Sequence, residues 1–219
     1  MDWSQLFTAL QSTQTPTLPL PGLDRAYLAL GWAIVLSSAG VWLVSRVCGG
    51  VRGRWLVAAL LFLWTLWPGP GSPSYWLGLA FRAPSLASAM LCGWFLLRQL
   101  RPSERPPTPA EPGWVVGGIV LGWLLLLDTF ARWPVSLYAI GFSPMLTGLM
   151  ALIACWPWLK RGAPTGATWA GLGALLVFVL LRLPTGNLWD AVLDPWLWIG
   201  LHLAGVRLLW RRWRNSATA

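Results

Sequence analysis

Leu66–Leu86 reads LWPGPGSPSYWLGLAFRAPSL. It follows the hydrocarbon run WLVAALLFLWTLW at 55–67 and breaks it with Pro68, Gly69, Pro70 and Gly71. A second apolar run, PSLASAMLCGWFLLRQL at 84–100, begins at Pro84. Proline removes a backbone donor and restricts the residue before it, so no helix continues through this stretch. It reads as a connection between two apolar helices, folded enough to hold a short amphipathic piece with Trp76 and Arg82.

The same plan recurs at RWPVSLYAIGFSPML (132–146) and RLPTGNLWDAVLDPWL (182–197). Each connection opens on a proline (Pro68, Pro134, Pro184) and carries an aromatic (Trp76, Tyr138, Trp189). Each closes on a second proline (Pro84, Pro144, Pro195), with Leu86, Leu146 or Leu197 two residues on. Ser143-Pro144 and Asp194-Pro195 are helix openings, because the side chain caps free N–H groups and proline suits the first turn. One leading helix followed by three hairpin-like repeats is the expected plan.

Composition sets the solvent. Of 219 residues, 56% are hydrophobic and 11% charged, where a water-soluble domain has about a quarter charged. Apolar runs at about 25–47, 55–67, 84–100, 113–132, 144–159, 167–183 and 195–213 approach the ~20 residues that cross a bilayer. The expected fold is an all-α integral membrane protein of about seven transmembrane helices with short folded outer connections. Its parts are an extracytoplasmic amphipathic segment (1–23), the helical domain (24–214) with a cytoplasmic proline-rich linker (101–112), and a cytoplasmic tail (215–219). Trp3, Leu6, Phe7 and Leu10 share helical spacing in the first of these.

The net charge of +9 is topological. Twelve of the sixteen basic residues fall in four groups: Arg46, Arg52, Arg54; Arg98, Arg101, Arg105; Lys160, Arg161; and Arg207, Arg211, Arg212, Arg214. They occupy every second inter-helix segment. Five of the seven acids, Asp2, Asp24, Asp128, Asp190 and Asp194, lie on the other side. The positive-inside rule then places the N-terminus outside and the C-terminus in the cytoplasm of a bacterial inner membrane. Nucleic acid is not an expected partner. The lipid bilayer is, with a membrane-protein partner or a second copy beside it.

Ionisable groups at membrane depth are costly, so those near the outer boundary are the candidate ligand-binding residues: Arg82, Asp128, Arg132, Arg182, Asp190 and Asp194. Asp128 and Arg132, four apart, are expected to pair on one helix face. His202, the single histidine, is either a hydrogen-bonded interior group or a proton relay. Cys48, Cys92 and Cys155 form no CxxC, and no metal site or cofactor is implied. Most of the 19 tryptophans fall at span boundaries, as interfacial anchors do. Gly113, Gly117, Gly118 and Gly122, and Gly166, Gly171 and Gly173, mark faces where helices approach closely, within one chain or between chains.

No nucleophile–base pair, phosphate loop or zinc-helix motif is present. The first expectation for function is a non-catalytic accessory or assembly component of a membrane complex. A small-solute or lipid transporter with an outward-facing polar pocket is the alternative. A membrane enzyme acting on a lipid-linked substrate at the outer interface is the second.

Overall fold

The computed structural model describes residues 4–5, 8–9, 12, 17–47, 50–101, 112–131, 136–161 and 165–216. The expected amphipathic face of Trp3, Leu6, Phe7 and Leu10 and the linker at 102–111 lie outside them, as does Arg132. Of the described residues 83% are helical and none forms a strand.

Seven longer helices are α1 (Pro21–Val47), α2 (Val51–Leu66), α4 (Leu86–Leu100), α5 (Pro112–Thr129), α7 (Pro144–Arg161), α8 (Gly166–Leu181) and α10 (Pro195–Ser216). Three short ones sit in the proline-bounded connections: α3 (Pro73–Phe81), α6 (Leu137–Ile140) and α9 (Leu188–Val192). Among the described residues two helices, α1 and α5, are long and apolar enough to cross a membrane. The 15 residues of α4 and 16 of α8 reach only about 23–24 Å at 1.5 Å per residue, short of the ~30 Å hydrocarbon core. In α2, Arg52 and Arg54 occupy the first turn, and α10 carries four arginines in its second half.

Contacts between helix ends fix which ends meet. Arg54 at the start of α2 donates to Gln99 at the end of α4, and Trp94 of α4 lies against Gly166 at the start of α8. The last turns of α1 and α4 therefore share one end with the first turns of α2 and α8. Ser85 bonds to Asp194, and Leu188 to Gly141, so α4, α7 and α10 all begin at the opposite end. The three proline-bounded connections gather at that second end.

Small residues set the helix spacing. Gly40 of α1 faces Val57 and Leu61 of α2, and Ser37 donates to the Ala58 carbonyl at 3.1 Å across the same seam. Gly118 and Gly122 of α5 face Leu201 and Trp198 of α10. These glycines join helices within one chain. Gly113, Gly117 and Gly171 face open space, so their expected part in close packing is not seen among the described residues. The main core lies under the connections, where Phe178, Leu86 and Leu188 are almost wholly buried with Tyr27, Leu175 and Ala191. Elsewhere the outer surface is apolar: Leu43, Leu63, Leu152, Leu180 and Leu209 are all at least 60% exposed, the reverse of a water-facing helix.

Candidate functional site

Each connection is held by side chains that reach backbone groups far away in sequence. In the first, Ser72 caps α3, and both its hydroxyl and that of Ser74 donate to the Thr65 carbonyl at 2.7 Å. Tyr27 and Trp32 of α1 then take the far end, donating to the carbonyls of Pro84 (2.9 Å) and Arg82 (2.7 Å). Arg82 ends α3 with φ of 61°, a left-handed φ that non-glycine residues seldom adopt. The apolar run begins at Pro84, but α4 opens two residues beyond it: Ser85 is the cap, its hydroxyl accepting from the Ser88 N–H at 3.0 Å while its own N–H donates to Asp194.

The second and third connections interlock. Asn187, wholly buried, caps α9 through Oδ1 and donates through Nδ2 to the Tyr138 carbonyl at 2.9 Å. Trp189 donates to the Leu137 carbonyl at 2.9 Å, and the Leu188 N–H reaches the Gly141 carbonyl at 3.0 Å. A Cβ at position 141 would collide with Asn187 and Trp189, so only glycine permits this approach. Tyr138 donates its hydroxyl to Asp190 at 2.7 Å, and Thr185 donates to the same carboxylate oxygen.

Where the first and third connections meet the segment leading into α1, a cleft of about 680 Å³ opens. Asp24, Arg82, Tyr138, Thr185, Asp190 and Asp194 supply its polar lining, and Leu28 and Phe81 part of its apolar wall. Of the six expected ligand-binding residues, Arg82, Asp190 and Asp194 come together here. Asp194 is also structural: it accepts from Leu197 at 2.7 Å as the cap of α10, and from Ser85 at 2.7 Å. Among the described residues, no hydrogen bond or ion pair engages the Arg82 guanidinium or the Asp24 carboxylate.

The other expected residues lie elsewhere. Asp128 accepts from the N–H groups of Leu137 (3.0 Å) and Tyr138 (2.7 Å) and from the Ser136 hydroxyl (3.4 Å). It thus closes the start of α6 and does not line the cleft. α5 ends at Thr129 and Ala131 turns the chain with φ of 51°; the expected pairing of Asp128 with Arg132 lies outside the described residues. Arg182 caps α8 in the left-handed conformation, with its guanidinium 5.3 Å from the Phe178 ring centre. His202 stands at the α5–α10 seam, its Nδ1 2.9 Å from the Trp198 carbonyl and its ring edge-on to Trp198 and Trp123. The carbonyl requires the Nδ1–H tautomer for a hydrogen bond.

Sequence reasoning passed over Asp24 and Tyr138 as site residues. Tyr138 has a titration signature: burial first, and then its hydrogen bond to Asp190, push the phenol up to about 12, with the Thr185 hydrogen bond and then the Arg82 charge acting the other way. No protein-family model matches this chain, and no curated protein or solved structure does either.

Proposed function

We propose that the chain is a seven-helix protein of a bacterial inner membrane, N-terminus outside and C-terminus in the cytoplasm. In this reading it is a non-catalytic accessory component whose outer face holds a small polar molecule. The seven crossings rest on α1 and α5, on the apolar outward faces of the other long helices, and on the gathering of three connections at one end. The shorter helices are accommodated by local thinning of the bilayer or by their flanking residues. The recurring proline-bounded connection, each with a short helix inside it, supports a hairpin repeated three times. Orientation follows from the basic clusters at the end opposite the connections.

The observation that carries the binding role is the cleft, on whose lining Arg82 and Asp24 have no side-chain hydrogen bond or ion pair among the described residues. Asp128 and Asp194 have their oxygens on backbone N–H groups, which is work for the fold. Arg82 and Asp24 have no such task, and one group of each sign suits a ligand bearing an anionic and a cationic group. Native mass spectrometry of the chain extracted in mild detergent tests this. Wild type is expected to retain a stoichiometric small molecule or lipid that R82A and D24N both lose while remaining folded. Retention of nothing by wild type, or identical retention by R82A, would contradict it.

A further inference from the structure

Four helices run away from the connections, and each ends on the same pattern. A tryptophan precedes a basic residue by four positions in α1 (Trp42, Arg46), α4 (Trp94, Arg98), α7 (Trp156, Lys160) and α10 (Trp210, Arg214). Spacing of four puts the two side chains on one helix face. Three of the pairs are stacked, with the guanidinium carbon 4.7, 5.0 and 5.1 Å from the ring centre in α1, α4 and α10. In α7 the Lys160 side chain lies outside the described residues, and the spacing alone places it in the series. At the connection end the comparable contact, Arg182 on Phe178, uses a phenyl ring with no polar edge.

We infer that the three stacked pairs form a collar that binds anionic phospholipid headgroups in the leaflet opposite the cleft. An indole is amphipathic and settles at headgroup depth, its ring against acyl chain and its N–H toward water. A cation laid over that ring is held at the same depth, where lipid phosphates lie. Stacking also orders the long side chain beforehand, so less rotamer freedom is lost when a phosphate binds than for a solitary arginine. The tryptophans of α1 and α10 are exposed, as lipid contact requires. Of the three helices only α1 and α4 pack closely on each other, so the pairs are spread around this end. That arrangement suits separate lipids better than one macromolecular partner.

The inference rests on the multi-pass reading, and the test separates the two. The full chain is reconstituted in vesicles of equal phosphatidylglycerol and phosphatidylcholine, then extracted, and its retained lipids are counted by native mass spectrometry. Three variants are compared: R46Q/R98Q/R214Q, which removes the paired cations; R52Q/R101Q/R212Q, which removes equal charge at the same end; and W42L/W210L, which keeps every charge. Circular dichroism confirms that each remains helical. Wild type is expected to be enriched in phosphatidylglycerol. Loss of the paired cations should lower that enrichment about fivefold or more, and W42L/W210L several-fold, with the equal-charge set within about twofold of wild type. Equal losses in the two charge sets, or no effect of W42L/W210L, would overturn the collar and leave the membrane reading standing. Failure of wild type to insert into vesicles would overturn both.

Discussion

Asp194 accepts the backbone N–H of Ser85 across 109 residues of sequence, at 2.7 Å, while its other oxygen accepts from Leu197 at 2.7 Å. One carboxylate therefore starts α10 and ties it to the start of α4. An asparagine keeps a single acceptor oxygen and an alanine none. D194N is expected to cost about 1–2 kcal/mol and D194A about 2–3 kcal/mol, read from thermal unfolding in detergent. Equal melting of D194A and wild type would remove Asp194 from the frame of the connections.

Asp128 performs the same service for α6 within a single connection. D128A leaves the N–H groups of Leu137 and Tyr138 without their acceptor, so hydrogen exchange across 136–140 should quicken, with D128N in between. Exchange unchanged in D128A would show that α6 is held by its interlock with the third connection alone.

These two residues show what local pattern reveals. Asp194 before Pro195 is a cap that any reader of the chain finds, and its short-range half is as expected. Its long-range half, Ser85, has no local signal, because a tie across 109 residues depends on how α4 and α10 come to rest. Asp128 likewise has partners with no local signal: it bonds Leu137 and Tyr138 beyond the end of α5 at Thr129, a return of the chain that helical spacing does not encode. The helix openings at Pro144 and Pro195 were legible because proline acts on its own neighbours. Grouping Arg82, Asp190 and Asp194 was legible from their common depth, whereas Asp24 and Tyr138 join them through a cleft that no periodicity encodes.

The glycines of α5 divide by face. Leucine at Gly118 drives into Leu201 of α10, where a Cβ alone already comes within 2.5 Å, and should cost about 1–3 kcal/mol. Leucine at Gly117, which faces open space, should leave the melting temperature unchanged or slightly raised, since it improves helix propensity. If G117L is the harmful variant and also shifts the oligomeric state, that face joins two chains.

Tyr138 gives a pH signature. Its folded pKa of about 12 stands above the ordinary value of 10.0, so its contribution to stability is fully present below pH 10 and is lost as pH rises through about 12. The absorbance at 295 nm of wild type minus Y138F should show one phenol titrating near 12. D190N, which removes the charged acceptor, should lower it while leaving the part due to burial. A midpoint that D190N does not move would show that the Tyr138–Asp190 bond does not persist in solution.

The most direct test is to label cysteines at each end of the bundle. In a background with Cys48, Cys92 and Cys155 replaced by serine, single cysteines are placed at Leu20, Gly71 and Ile140 on the connection end. Gly50, Arg101 and Asn215 are replaced singly at the other. A membrane-impermeant maleimide added to spheroplasts is expected to label the first three at once and the second three only after the membrane is opened. Labelling that mixes the two ends, or that reaches all six in sealed spheroplasts, would contradict a seven-helix protein with its connections and cleft outside.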